Sequence, residues 1–358
     1  MNRILAFVIF FGIFLSIYLG MHFYVFVRLG TLFNIKRAWQ FYAVAIMLTL
    51  LFPLASFVER GFAGSGGRML YTAASTWFGI LFLLFCSVLL YDALHFFVKV
   101  KPFFAGIAIV AVVLALSIFA ILNARFITVR EIEIPMKGLE KEMRVVQLSD
   151  LHVGTTLTSG FVEKVVEKTN KLEPDLVLIT GDLVDSSGPL IEDSLMPLKN
   201  LNAKSFFTTG NHEQYADLDK VIPMIEAAGT KVLRNEVVEY SGLQIVGIDN
   251  PGDRFRGGND IIGKLQIDKK KPSVLMYHPP EGLEQASAAG INLQLSGHTH
   301  YGQIIPFNFL VKLFYPRIRG LYELNGTYLY VSTGTGFWGP PMRLGPRSEI
   351  TLIKLVKA

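Results

Sequence analysis

Four long apolar stretches in the first third of the chain constrain its fold more than any other feature. The sequence is 51% hydrophobic, which is more than a soluble enzyme usually carries, and the excess lies in these stretches. Each has about 20 residues or more, and a helix rising about 1.5 Å per residue would cross a hydrocarbon layer of roughly 30 Å. They are Ile4–Val27, Trp39–Val58, Thr76–Val98 and Phe103–Leu122. We therefore predict four transmembrane helices in a membrane domain of residues 1–125, with a buried helical bundle as the alternative.

The first stretch is too long and too continuously apolar for a signal peptide, and no A-x-A cleavage site follows it. We expect it to remain as a membrane helix. Four crossings would place both ends of this region on one side of the membrane. Five basic residues flank the stretches on each side, so the positive-inside rule leaves the side of the C-terminal domain undetermined.

Few other residues of the first third have reactive or ionisable side chains. The single cysteine, Cys86, lies inside the third stretch, so no intrachain disulfide can form. Asp92 and His95, late in that stretch, share one helical face by their i, i+3 spacing. They are compatible either with an interfacial position, because Lys99 follows within about two turns, or with a ligand site formed by the helices. The net charge of +5 comes without an Arg/Lys stripe interleaved with aromatic residues, so we predict no nucleic-acid partner.

After Asn123, short apolar runs alternate with helix-like segments. The predicted helices are Gly160–Leu172, Ser186–Leu201 and Leu218–Ala228. The predicted strands are Arg130–Pro135, Met143–Leu148, Leu176–Thr180, Ser205–Thr209, Val237–Tyr240, Gln244–Ile248, Val274–Tyr277, Leu293–Leu295, Tyr328–Ser332 and Ile350–Val356. Ser241-Gly242 predicts a hairpin between two of these strands. This interleaving indicates an α/β domain over residues 126–358, with mixed sheets covered by helices.

Five of the predicted strands are followed by residues with metal-binding side chains. The residues are Asp150 and His152, then Asp182, then Asn211 and His212, then His278, and finally His298 and His300. Ligands bind outside the carboxyl ends of strands in open α/β sheets, so these side chains should form one cluster. Gly181, Gly210 and Gly297 precede them, where a tight turn or a close backbone approach is needed. Oxygen and imidazole donors without a thiolate suit two divalent ions such as Mn, Fe, Zn or Co.

These residues stand in five ordered motifs, D-x-H, G-D-x-x-D, G-N-H-[E/D], a lone H and G-H-x-H. The order resembles the calcineurin-like metallophosphoesterase superfamily over roughly residues 143–356. The segment from His298 to Gln303, with Gly334-Thr-Gly336 and Pro340–Arg343, is similar to the bacterial YkuE-type branch. That branch usually has Gly where this chain has Tyr301. The resemblance implies a four-layer αββα sandwich and a dinuclear phosphoesterase that hydrolyses a phosphodiester, phosphomonoester or pyrophosphate bond.

The resemblance also implies a role for each residue. One ion would be held by Asp150, His152, Asp182 and His300, and the other by Asp182, Asn211, His278 and His298. His212 would donate a proton to the leaving oxygen or stabilise its charge, while Asp185 and Glu213 would orient neighbouring groups. Two ions about 3.5–4 Å apart lower the pKa of a water molecule and clamp the phosphoryl oxygens, so no covalent nucleophile is required.

The stretch Ile304–Arg319 mixes large apolar residues with Lys312, Arg317 and Arg319 directly after the last motif. Such a segment can lie in a headgroup interface and admit a lipid-linked phosphoester. A core or domain-contact role is the alternative.

Attachment to a membrane favours a phospholipid, lipid-linked or envelope substrate, and a location in a bacterial inner or cell membrane. A different class of function is a membrane sensor or transport component that uses the metallo-domain only for ligand binding. His212 separates the two hypotheses, because binding a metal does not require it.

Overall fold

A computed structural model of the chain describes residues 3–61, 64–185, 192–251 and 261–358. The chain divides into two compact units, Met1–Leu122 and Asn123–Ala358. Of the predicted helix Ser186–Leu201, residues 186–191 lie outside the described part, and Glu192–Asn200 forms a 3₁₀ helix with Pro197 inside it.

The first unit is built from four helices, each long and apolar enough to cross a membrane. They are α1 (Arg3–Leu32), α2 (Trp39–Gly61), α3 (Ser65–His95) and α4 (Pro102–Asn123). The predicted membrane region is therefore present as four helices. Helix α3 begins well before the predicted Thr76, because its first turns contain Ser, Gly and Arg and do not raise the local hydropathy.

Asp92 joins two of these helices. Its Oδ2 atom accepts hydrogen bonds from Tyr24 Oη at 2.5 Å and Arg28 Nε at 2.8 Å, and its other oxygen is bonded to Arg28 Nη2. His95 lies beside Tyr91 of its own helix, with ring centroids 5.2 Å apart. Both oxygens of Asp92 are thus engaged by α1, which favours a structural role over a ligand site.

The second unit contains two six-stranded sheets. The strands of the first sheet, in spatial order, are β1 (Ile127–Met136), β12 (Ser348–Lys357), β2 (Met143–Leu148), β3 (Leu176–Thr180), β4 (Lys204–Thr208) and β5 (Lys231–Val232). Those of the second are β10 (Gly320–Leu324), β11 (Thr327–Val331), β9 (Leu293–Ser296), β8 (Ser273–Tyr277), β7 (Leu243–Ile248) and β6 (Glu236–Tyr240). Both sheets mix parallel and antiparallel pairs, as predicted.

Apolar side chains from both sheets pack against each other in one buried core that includes Val145 and Leu178 of the first sheet and Met276 and Leu295 of the second. A second core lies between the first sheet and the helices α5 (Ser159–Asn170) and α7 (Leu218–Ala227). The short helix α6 (Asn211–Tyr215) lies between these two helices in the sequence. A third includes the second sheet and Ala286 of α8 (Leu283–Ala289). The layers are therefore helix, sheet, sheet and helix, which confirms the predicted αββα sandwich.

The sequence predicted the bounds of several strands closely and missed two strands that lack a clear apolar run. β2 and β3 begin and end at the predicted residues. Ser241 and Gly242 both adopt positive φ, as the tight turns of hairpins require. Strand β5 has only two residues, and β10 is half exposed, so neither produced a clear apolar run.

The parallel strands decide where the polar residues meet. β2, β3 and β4 are parallel neighbours in the first sheet, and β8 and β9 are parallel neighbours in the second. Hydrogen bonds show that the carboxyl ends of the two sheets lie close together. Gln147 Nε2 at the end of β2 donates to Thr180 Oγ1 in β3 and to Ser296 O in β9. The two sheets thus deliver five strand ends to one place.

Candidate metal centre

All eight predicted site residues follow the carboxyl ends of these five strands. Six of them are buried, and Asn211 and His298 are half-buried. A cluster of carboxylates and imidazoles removed from water needs compensation by opposite charge or by a metal ion.

Asp150, His152 and His300 form a first triad, with one ligand atom of each within 4.8 Å of the others. The Nε2 atoms of His152 and His300 are 3.0 Å apart, and His300 Nε2 is 3.3 Å from Asp150 Oδ1. Burial and the neighbouring His212 lower the pKa of His152 to about 3. Burial, His152 and Arg343 hold the pKa of His300 well below its usual value. Both imidazoles are therefore neutral, which is the form that binds a metal ion.

Asp182, His278 and His298 form a second triad of the same kind. His278 Nε2 lies 3.0 Å from Asp182 Oδ2 and 3.2 Å from His298 Nδ1. Burial alone would lower the pKa of His278, but the Asp182 carboxylate raises it to about 10. Burial would raise the pKa of Asp182, yet His278 and His212 hold it well below its usual value. A divalent cation would compete with the proton of His278 for this carboxylate.

The Asp182 carboxylate belongs to the second triad and also lies close to the first. Its Oδ2 atom, 3.0 Å from His278 Nε2, is also 3.9 Å from His152 Nε2 of the first triad. A carboxylate in that position can share its oxygens between two ions.

Asn211 provides an observation that tests whether the residues fit a metal ion. Its Oδ1 atom is buried and accepts no hydrogen bond from the residues that the structure describes. An orphaned buried oxygen is costly unless something binds it. The donor set of carboxylates, imidazoles and one amide oxygen suits borderline-hard divalent ions, so the residues fit the predicted centre.

His212 lies beside the first triad. Its Nδ1 atom is 3.6 Å from Asp185 Oδ1, and its ring centroid is 4.6 Å from that of His152. Burial would lower its pKa, but the carboxylates of Asp182 and Asp185 raise it to about 9, so the imidazole is protonated at neutral pH. His152, Asp185 and His212 also form a third group that could hold an ion.

Hydrogen bonds fix the predicted ligands from behind. His278 Nδ1 lies 2.8 Å from Thr180 O, and His298 Nε2 lies 2.8 Å from Tyr315 Oη. The buried carboxylate of Glu213 accepts backbone N–H groups at Asp182, Leu183, Val184 and Gly210. Glu213 thus connects the loop after β3 with the loop after β4, and its orienting role stays a prediction.

Arg343 is fully buried, and although it belongs to the Pro340–Arg343 motif, no function was predicted for it. Its Nη2 atom lies 3.2 Å from His300 Nδ1 and donates to the carbonyls of Gly334 and Gly336. Tyr315 was likewise not predicted as part of the centre. Nothing in its local pattern pointed there, because it reaches His298 from a different segment of the chain.

The backbone at the centre is strained. Five of the predicted ligands adopt positive φ, namely Asp150 (54°), His152 (49°), Asp182 (50°), His298 (70°) and His300 (46°). This region costs a non-glycine residue roughly 1–2 kcal/mol, and such strain clusters at functional sites. A Cβ atom on Gly210 or Gly297 would collide with the carboxylate of Asp182 or Asp150, so the predicted close approach is observed at both glycines.

Comparison with known proteins agrees with this geometry. A profile described as calcineurin-like phosphoesterase matches residues 143–302. An uncharacterized metallophosphoesterase of Helicobacter pylori strain J99 is 38% identical over 64% of this chain and 64% of its own length. A transmembrane protein with metallophosphoesterase domain from Bos taurus is 35% identical over 70% of this chain and 62% of its own length.

The uncharacterized metallophosphoesterase YkuE of Bacillus subtilis is 30% identical over 59% of this chain and 78% of its own length. This chain thus spans less than two thirds of the length of the Helicobacter and Bos relatives. The four apolar helices and the transmembrane relative together suggest a membrane protein. The ordered motifs, the sandwich and these relatives lead to one conclusion: the chain belongs to the calcineurin-like metallophosphoesterase family.

Proposed function

We propose that this protein is a membrane-anchored phosphoesterase that depends on two divalent metal ions. The observation that carries the proposal is that Asp182, a member of the second triad of carboxylate and imidazole donors, also lies close to the first triad. The catalytic part corresponds to residues 126–358 and the membrane part to residues 1–125.

The donors divide into two sets that share one carboxylate. Asp150, His152, Asp182 and His300 would hold one ion, and Asp182, Asn211, His278 and His298 would hold the other. Two ions of Mn, Fe, Zn or Co in these sets would neutralise phosphoryl charge and lower the pKa of a water molecule, so that hydroxide is available to attack phosphorus.

The protein's own groups complete the chemistry. The amide oxygen of Asn211 adds no negative charge where an anionic phosphate must approach. His212 would donate a proton to the departing oxygen, and Asp185, whose Oδ1 atom is 3.6 Å from His212 Nδ1, would hold the ring in place. Tyr215 and Trp338 lie beside His212, with ring centroids 5.8 and 6.2 Å away, and their exposed faces can contact the rest of a substrate.

The reaction is hydrolysis of a phosphodiester, phosphomonoester or pyrophosphate bond. Attachment to a membrane, in bacteria the inner or cell membrane, favours a phospholipid or another lipid-linked phosphoester as the substrate. We expect no nucleic-acid partner, because the sequence has no Arg/Lys stripe interleaved with aromatic residues.

Hydrolysis of bis(p-nitrophenyl) phosphate by the purified full chain, with and without added Mn²⁺, tests this function. We expect metal-dependent turnover, and we expect elemental analysis to find bound transition ions. If the pure folded protein binds none and none restores turnover, the proposal is wrong. A sensor or transport component would bind the metal without hydrolysis and would be indifferent to His212→Ala.

A further inference from the structure

We infer that helix α9 (Phe307–Phe314) lies in the headgroup interface of a lipid bilayer, so that the metal centre works at a membrane surface. The inference deepens the proposed function and rests on it for the chemistry of the centre. The occupant of the helix surface is the bilayer itself.

Helix α9 exposes its apolar side and buries a polar residue, which is the reverse of a surface helix in a soluble domain. The residue it buries is polar, because Asn308 is only 7% exposed. Its large apolar residues face outward, including Phe309 at 67%, Leu313 at 78% and Phe314 at 64%. A surface helix normally turns its apolar stripe toward the core and its polar face toward water. A contiguous apolar surface of this kind marks contact with a membrane or with another protein.

The helix is held close to the metal centre. Gly302, two residues after His300, adopts a φ of +73°, and a Cβ there would lie 2.5 Å from the backbone of Asn308. The helix backbone therefore packs directly on the segment that carries His298 and His300. Tyr315, the residue after the helix, places its Oη 2.8 Å from His298 Nε2. A surface bound by α9 must lie near the centre.

A bilayer fits this surface better than a second protein does, because the same chain carries four helices able to cross a membrane. Eight residues are too few for an independent membrane anchor, but covalent attachment raises the effective concentration of α9 at the bilayer. Lys312 is exposed on the helix and suits anionic headgroups. Trp338, near His212, is 51% exposed, and indole rings prefer the membrane interface.

The experiment measures quenching of a fluorophore by spin-labelled lipids. Cys86→Ser removes the single native thiol, and the full chain then receives one cysteine by Phe309→Cys or Leu313→Cys. Glu163→Cys, at an exposed position on α5, is the matched control. Each protein is labelled with bimane and placed in nanodiscs of phosphatidylcholine and phosphatidylglycerol, with or without doxyl-labelled lipid.

We expect doxyl lipid to cause a loss of bimane fluorescence at both α9 positions and little loss at the control. Equal quenching at all three positions would overturn the inference. So would unquenched α9 labels together with cross-linking of the same cysteines, left unlabelled, between two copies in one nanodisc, since a second copy would then be the occupant. Metal-dependent hydrolysis of bis(p-nitrophenyl) phosphate in the same nanodiscs is measured separately. Its loss while quenching persists contradicts the proposed function and leaves the membrane contact standing.

Discussion

Two clusters of ionisable residues, one in each unit, differ in how the negative charge of their carboxylates is compensated. In the helical unit, both oxygens of Asp92 accept hydrogen bonds from Tyr24 and Arg28, so a protein cation already neutralises the acid. In the second unit, neutral imidazole nitrogens of His152 and His300 face each other at 3.0 Å, beside buried carboxylates. In the first arrangement both carboxylate oxygens already have partners, and these hydrogen bonds join two helices. The second directs acceptors at a common point, as a metal centre requires.

The largest effect should follow substitution of the shared carboxylate. Asp182→Asn removes the charge that both ion sets need, so we expect both ions to be lost. Loss of a residue that only hydrogen-bonds to a metal ligand lowers activity roughly 10–100-fold. The rate of Mn²⁺-dependent hydrolysis should fall by much more than this, because Asp182 would be a ligand itself. Elemental analysis and turnover of bis(p-nitrophenyl) phosphate measure the two effects. Retention of two ions per chain would show that Asp182 does not bridge them.

His212→Ala tests whether the residue beside the first triad is an acid or a ligand. Loss of a general acid should lower the hydrolysis rate about 10²–10⁴-fold while the bound metal stays the same. A fall in metal content would instead assign His212 to the third group, with His152 and Asp185.

Tyr315→Phe should have an intermediate effect. The substitution removes the hydroxyl next to His298 Nε2, and loss of such a partner weakens metal affinity about 10–100-fold. A competition assay with a metal-chelating dye measures the affinity. Tyr322→Phe, in strand β10, is the control and should bind metal like the wild type. Equal affinities for all three proteins would refute a positioning role for Tyr315.

The smallest effect should follow Asp92→Asn, the counterpart of Asp182→Asn in the other cluster. Loss of a partly exposed ion pair between helices should lower the free energy of unfolding by about 1 kcal/mol. Thermal unfolding in detergent measures this loss, and hydrolysis should not change. A well-folded Asp92→Asn protein with impaired hydrolysis would revive the alternative of a functional site among the helices.

Local patterns predicted much of the second unit because strands such as β2 and β3 are continuous apolar runs with polar residues directly after them. The family motifs then identified which of those polar residues belong together. The partner of Asp92 was not predictable in the same way. Arg28 is 64 residues away, and helical periodicity gives the face of a residue but not what packs on it.

The inverted helix α9 was equally hidden. The sequence predicted that Ile304–Arg319 can lie in a headgroup interface, with a core or domain-contact role as the alternative, and it did not show which side of the segment is exposed. Only the packing of Asn308 over Gly302 shows that the polar side faces inward and the apolar side outward.

The sequence by itself determined that this chain has four apolar helices, an α/β domain and an ordered set of carboxylate, amide and imidazole donors. These properties depend on local composition and spacing, which the chain carries in any conformation. Only the tertiary structure decided that Arg343 and Tyr315 contact the imidazoles from behind, and that both oxygens of Asp92 are hydrogen-bonded to residues of α1. Those distances arise when parallel strands and packed helices bring distant segments together, and the positive φ angles at five predicted ligands are held only by that packing.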